Sequence, residues 1–217
     1  RFVRAQARAL GLPCRVGRAD VPARAGARGI GIEQAGREAR YAFLESVARR
    51  VGATHIATAH HADDQAETVL MRVRRGAGPR GLSAIPYLRE AFHSETAGSP
   101  VRIVRPLLDV TRREIEDYLR RAGLRPRLDA TNLSPDPLRN RVRLRALPAL
   151  ERAWPSLRRD LLRVASAAQA LCAAAGPLRA GAAPALFRRA GDCLVFDAAA
   201  GRRLPASLLA DAVGQAL

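Results

Sequence analysis

Thr54-His-Ile-Ala-Thr-Ala-His60-His61-Ala-Asp63-Asp64-Gln-Ala-Glu67-Thr68 is the stretch on which the fold turns. Its first half, residues 55–59, is a short apolar run between a glycine and a cluster of charges, the pattern of a buried strand. Its second half opens a helix at Asp63 and Asp64 that runs to Arg75, with Val69, Leu70 and Val73 as its apolar stripe and Gly76 as its stop. A strand that passes straight into a helix is the repeating unit of an α/β sheet. In open sheets of that kind ligands gather beyond the carboxyl ends of the strands. The polar residues 60–68 stand at that position, so a site is expected there.

Outward from this stretch the same alternation continues. Residues 1–10 read as an amphipathic helix closed by Gly11, with a short strand expected around 14–16 and a loop over 22–31. A helix then carries Ala35, Ala39, Ala42, Phe43 and Val47 and ends near Gly52. Residues 76–104 are rich in Gly, Pro and Ser; a long surface loop is expected over 91–100, then a strand over 101–104. Thr111-Arg-Arg-Glu114 has the form of a capping box, followed by Ile115, Tyr118 and Leu119 and a stop at Gly123. Residues 125–145 mix charges with turn formers. A long helix follows from Ser156 to Gly176-Pro177, and a last strand is expected over 193–196. The fold class is therefore α/β: a parallel sheet with flanking helices, incomplete at its N-terminal side, followed by a mostly helical C-terminal segment. The division expected is 1–150 for the α/β part and 151–217 for a helical linker and a small accessory segment.

Composition narrows the chemistry. The 217 residues carry a formal net charge of +17, and all 37 basic residues are arginine. Without a lysine the chain can build neither a Walker-A phosphate loop nor a Schiff-base site. So large a positive excess favours polyanionic partners. Arginine without lysine, beside alanine runs such as 173–175 and 198–200, also marks a compositional drift, so part of the charge is background. The three cysteines form no C-x-x-C pair, which argues against a thiolate metal site and fits a reducing, cytoplasmic compartment. No apolar run is long enough to span a membrane, and no signal peptide is visible. The chain opens on Arg1 within what reads as helix, as a fragment of a longer protein would.

Three clusters carry candidate chemistry. In the first, Asp64 and Glu67 lie three apart on one helical face, where two carboxylates suit a cationic amine or Mg²⁺. The competing reading makes them a capping box, with Asp64 at the N-cap. A metal reading takes His60, His61, Asp63 and Asp64 as ligands, as in metal-dependent phosphohydrolases, but only His55 and His93 remain to complete it. The second cluster runs from Asp129-Ala-Thr-Asn132 to Arg139-Asn140-Arg141-Val-Arg143-Leu-Arg145, four arginines alternating over seven residues. Such guanidinium forks suit phosphates; the alternative is a solvated basic stretch. In the third, Arg37, Arg40 and Tyr41 share one face of a helix, which by itself reads first as an ordinary exposed helix face with Tyr41 at its edge.

Taken in order, these segments resemble the tRNA(Ile)-lysidine synthetases, a branch of the N-type ATP-pyrophosphatase (PP-loop) family. The resemblance rests on Ala-Gly-Arg-Glu-Ala-Arg-Tyr at 35–41, the stretch at 54–68, Arg-Arg-Gly-Ala-Gly at 74–78 with Gly81-Leu82, Arg-Pro-Leu-Leu at 105–108, Asp-Ala-Thr-Asn at 129–132, and Arg-Asn-Arg-Val-Arg at 139–143 with Leu147-Pro148. It covers roughly residues 1–155. It implies an adenine nucleotide alpha hydrolase-like fold and ATP-dependent ligation of lysine to C2 of the wobble cytidine of tRNA(Ile) with a CAU anticodon, through an adenylated intermediate. ATP with Mg²⁺ and free lysine would be the small partners. Asp64, Glu67, Arg139 and Arg141 would be catalytic; Arg37, Arg40, Tyr41, His60, Asp63, Asn140 and Arg143 would bind substrate. No protein metal site is implied. The family's Ser-Gly-Gly-x-Asp-Ser loop is absent, and no Gly-Gly pair occurs anywhere in the chain. N-terminal truncation is the expectation, with the chain inactive alone; a non-catalytic RNA-binding remnant is the alternative. A tRNA-thiolating relative fits less well, since its C-x-x-C pairs are missing.

Overall fold

The computed structural model describes residues 2–91, 101–127, 138–176, 186–190 and 193–203. The loop expected over 91–100 lies outside them except for Ala91, which is buried and donates its N–H to the Val101 carbonyl; His93, the Asp129–Asn132 motif and most of the C-terminal end lie outside them too. Two compact units emerge, one from Arg1–His61 with Pro86–Thr111, the other from Ala62–Ile85 with Arg112–Leu217.

The first unit holds helices α1 (Phe2–Ala9), α2 (Val21–Arg28) and α3 (Ile32–Arg50) and strands β1 (His55–Ala57), β2 (Leu88–Glu90) and β3 (Arg102–Val104). No strand forms at 14–16; those residues are irregular and exposed. The expected loop at 22–31 is instead helix α2. Asp20 caps it by accepting from the Ala23 N–H at 3.0 Å, a proline sits in its first turn, and Gly29 closes it at φ 62°. Its glycines and proline read as loop formers, yet Asp-x-Pro before and Gly after are helix-boundary signals. The loop before α2 runs so close to α3 at Gly17 that a Cβ there would lie 2.7 Å from the Phe43 ring.

The three strands form a mixed sheet in the order β1-β3-β2. β1 pairs parallel to β3 (His55 opposite Arg102) and β2 antiparallel to it (Leu88 opposite Val104). The parallel pairing meets expectation; β2 does not, since Leu88-Arg-Glu90 is too short and polar to show a strand period. β1 is an edge strand in which only Ile56 is buried, so the apolar run at 55–59 is half exposed rather than wholly covered. The core of this unit joins Ile56, Ala91, Val101 and Ile103 to Tyr41 and Ala48 of α3. Of the predicted stripe Ala35 is buried, while Ala39, Ala42, Phe43 and Val47 are half-buried, since the core-facing side of α3 lies to one side of them.

The second unit is helical: α4 (Ala62–Val73), α5 (Pro79–Leu82), α6 (Arg112–Arg121), α7 (Leu138–Arg141), a π-helical turn (Val142–Ala146), α8 (Leu147–Ala153), α9 (Leu157–Ala174) and α10 (Ala198–Gly201), with a hairpin of β4 (Phe187–Ala190) and β5 (Cys193–Phe196). Its core sets Ala66 and Val69 of α4 against Val142, Leu147, Leu157, Leu161 and Ala165. The stretch at 138–146 is thus helical, not the turn-rich segment its composition suggests. Val142 and Leu147, five apart, both reach the core because the π turn widens the local period.

Candidate active site

Helix α4 begins at Ala62, so Asp63 and Asp64 stand inside its first turn and Glu67 in its second. The capping-box reading therefore fails, since Asp64 is already helical and its carbonyl accepts from the Thr68 hydroxyl at 2.7 Å. Carboxylates near a helix N-terminus are favoured by the helix dipole. Glu67 is 1% exposed and Asp64 13%, and burial of this kind requires partners.

Those partners come from the segment Arg139–Arg143. Arg139 bridges the two carboxylates, with Nε 2.8 Å from Glu67 Oε2 and Nη2 2.7 Å from Asp64 Oδ1. Arg143 makes a forked pair with Glu67, Nε to Oε1 at 2.6 Å and Nη2 to Oε2 at 3.0 Å, and reaches Asp64 Oδ1 at 3.3 Å. Residues 139 and 143 are one helical turn apart, which presents both guanidinium groups to the same neighbour. The hydrogen bond to Glu67 pushes Arg143 above the ordinary guanidinium range despite burial. The result is a compact quartet of two carboxylates and two guanidiniums with no net charge. Its members were named from two sequence segments more than seventy residues apart, and the fold brings them together.

The other candidates fall elsewhere. Asp63 is engaged in architecture: its Oδ2 accepts the backbone N–H of Arg112, the first residue of α6, at 2.7 Å, and its Oδ1 accepts from Arg158. Arg158 also forks onto Glu151 at 2.7 and 3.0 Å, so Asp63 ties α4 to α6 and α9. Asn140 is buried beside the quartet segment, and Arg141 is exposed on the far side of it. In the first unit, His60 Nδ1 lies 3.0 Å from Thr58 Oγ1. Tyr41 is 3% exposed and belongs to the core, with the guanidinium groups of Arg37 and Arg89 5.3 and 5.2 Å from its ring centroid. Arg40 is exposed. A cavity of about 680 Å³ opens beside this face, lined by Arg24, Arg28, Gln34, Arg37, Glu38 and Tyr41 among others. Burial, with the nearby Arg105 and Arg37 charges, lowers the pKa of Arg89 against the pull of Tyr41. Among the described residues no three His, Cys, Asp or Glu side chains are placed to hold a metal ion.

Residues 1–150 match the model of the PP-loop domain, more than half the chain. The chain belongs to the PP-loop domain family. Relatives named tRNA(Ile)-lysidine synthase include one from Dehalococcoides mccartyi, 42% identical over 165 residues, which are 76% of this chain and 34% of the relative. Another from Thermus thermophilus is 45% identical over 166 residues, 76% of this chain and 30% of the relative. A third from Geobacter sulfurreducens is 47% identical over 136 residues, 63% and 27%. The chain thus spans about a third of the length of the curated relatives it matches.

Sequence reasoning about this PP-loop domain missed several contributors. Gln65, buried on α4, exchanges two hydrogen bonds with the backbone of Ile85, at 3.1 and 2.8 Å, and so anchors the segment after α5. A polar residue between two alanines of the core face, at a position the helical period buries, is the signal that was available. Arg105, within the quoted Arg-Pro-Leu-Leu motif, is buried and donates to the Pro86 carbonyl. Arg158 had no readable signal: its partner Asp63 is 95 residues away.

Proposed function

We propose that these residues form the amine-handling part of a tRNA(Ile)-lysidine synthase. In that reaction the C2 oxygen of the wobble cytidine is adenylated by ATP, with loss of pyrophosphate. The lysine amine then bonds to C2, and AMP leaves with the oxygen. The observation that carries the reading is the Asp64–Glu67–Arg139–Arg143 quartet. A neutral quartet can exchange partners: guanidiniums turn to substrate phosphate as the lysine ammonium takes their place on the carboxylates. Held there, the ammonium first gives a proton to a carboxylate, which frees the nitrogen lone pair to bond to C2, and a second proton leaves the nitrogen to solvent as AMP departs. Both halves of that exchange need acid and base side chains interleaved at one place, and the quartet supplies them.

In this reading Arg141 and Asn140 serve the tRNA and Asp63 the placement of α4; in the first unit Arg37, Arg40 and His60 contact substrate, and Tyr41, buried in that unit's core, supports Arg37. The sheet is read as part of an adenine nucleotide alpha hydrolase-like fold, 1–150, with 151–217 as accessory, and the compartment as the cytoplasm. The pattern Ser-Gly-Gly-x-Asp-Ser does not occur in the 217 residues. No ATP-binding step is therefore assigned to these side chains. The described residues likewise offer no Mg²⁺ ligand set, and no step runs through that ion.

The test is retention of radiolabelled lysine in equilibrium dialysis. It is paired with ATP-dependent lysine transfer to a tRNA(Ile) transcript by a chimera joining the chain to a segment that bears the phosphate loop. Asp64→Asn and Glu67→Gln should abolish both, with helical circular dichroism retained. Lysine bound equally well by Glu67→Gln, or no better than norleucine by the parent chain, would overturn the assignment.

A further inference from the structure

We infer that the outward side of the helical run 138–153, with Trp154 at its end, is a docking surface for unpaired RNA. The run is continuous through α7, the π turn and α8. Its inward side is committed: Arg139 and Arg143 to the carboxylates, Val142 and Leu147 to the core. Arg141, Arg145 and Arg152 fall four and then seven residues apart, spacings that keep side chains on one side of a helix. All three are exposed, and none has a hydrogen-bond or ion-pair partner among the described residues. Some exposed arginines of this unit are paired, as Arg112 is with Glu116 and Arg120 with Asp117; these three are set apart by lying in one row on one helical run. Three unpaired cations in a row repel one another, and a polyanion running along the helix relieves that repulsion. At a rise of about 1.5 Å per residue the stripe is about 16 Å long, the reach of several consecutive phosphates.

A second observation selects the polyanion. Trp154, two residues beyond Arg152, is the single tryptophan of the chain and is 54% exposed. Its ring is held rather than loose: the indole N–H donates to Ser156 Oγ at 2.6 Å, and the Ser156 hydroxyl donates to Asp160 at 2.5 Å. A fixed, exposed aromatic ring at the end of a helical run that carries a row of arginines is the combination that binds single-stranded nucleic acid, through phosphate contacts plus base stacking. A duplex hides its bases and engages the arginines alone. The surface assigns a job to Arg141, Arg145, Arg152 and Trp154 that differs from the chemistry of the quartet. It rests on the tRNA-directed reading above, and supplies the face on which an exposed loop of that RNA would lie.

The single tryptophan makes the test direct. Fluorescence of the whole chain is titrated with an unmodified tRNA(Ile) transcript, a poly(A) strand and a blunt RNA duplex across a salt series. Expected are quenching by the transcript and the single strand but not by the duplex, and a steep loss of affinity with salt. Arg141→Gln/Arg145→Gln/Arg152→Gln should weaken binding by about tenfold or more and flatten the logarithmic salt slope by about 2 to 3. An equal loss of charge at the exposed Arg4, Arg8 and Arg15 should leave the slope nearly unchanged. Trp154→Ala, followed by filter binding, should weaken single-strand binding roughly tenfold, and Trp154→Phe should restore most of it. Transcript binding indifferent to the stripe variant, or lost equally in the control variant, overturns the surface while leaving the lysine assignment to its own dialysis test. No transcript binding by the parent chain overturns both RNA readings. Preferential binding to vesicles rich in anionic lipid overturns RNA as the occupant.

Discussion

Glu67 shows how one side chain concentrates the demands of this molecule. Its carboxylate is almost fully enclosed and accepts three guanidinium hydrogen bonds. Replacing it with Gln removes the charge but leaves two arginines facing an amide. We expect a loss of about 2 to 4 kcal/mol, somewhat below that of a wholly buried pair because Arg139 and Arg143 keep contact with water. Urea denaturation measures it, and Glu67→Gln/Arg143→Met should recover part. Tyr87 gives a second prediction at this scale. Partial burial of its phenol, together with its hydrogen bond to Asp109, pushes its pKa up to about 12 from 10.0. The neutral phenol is the form the fold favours. Its contribution is therefore complete below pH 10 and disappears as pH rises to about 12. Phenolate absorbance should show a tyrosine step near pH 12, and Asp109→Asn should lower that step.

At the scale of elements, short helices depend on their ends. Helix α2 has eight residues, one of them buried, so it rests heavily on the Asp20 cap. Asp20→Ala should cost about 1 kcal/mol and speed hydrogen exchange at residues 21–28 before any change elsewhere. Gln65 is the corresponding device on α4. With Gln65→Ala the Ile85 N–H loses its acceptor, whereas the Ile85 carbonyl keeps the Gln169 amide at 3.2 Å. A cost of about 1 to 3 kcal/mol is expected, read as faster exchange at Ile85. The strand-to-helix step in 54–68 was legible because an apolar run meets a cluster of charges there and α4 keeps its helical period over twelve residues. Strand β2 and the π turn were not: three residues show no period, and a π turn is decided by which side chains must reach the core.

For the whole molecule, charge is the property that the amino-acid inventory determines. A net +17 on 217 residues draws polyanions whatever the fold. The chain should bind heparin resin at low salt and elute as salt rises, and this should persist in Glu67→Gln, since the quartet is neutral before substitution. Retention that is insensitive to salt would contradict it. What the sequence determined by itself is the α/β class, the strand-to-helix step with its acidic first turns, the arginine-only basic character, and the family motifs in their order. These are local patterns or sums over residues, which no folding step is needed to read. What only the tertiary structure decided is which of those charges meet. It pairs Arg139 and Arg143 with Asp64 and Glu67, turns Asp63 to Arg112 and Arg158, puts Tyr41 in a core, and leaves Arg141, Arg145 and Arg152 facing water. A side chain's partner across seventy or more residues depends on how elements pack, and on the burial that makes an unpaired charge too costly to leave alone.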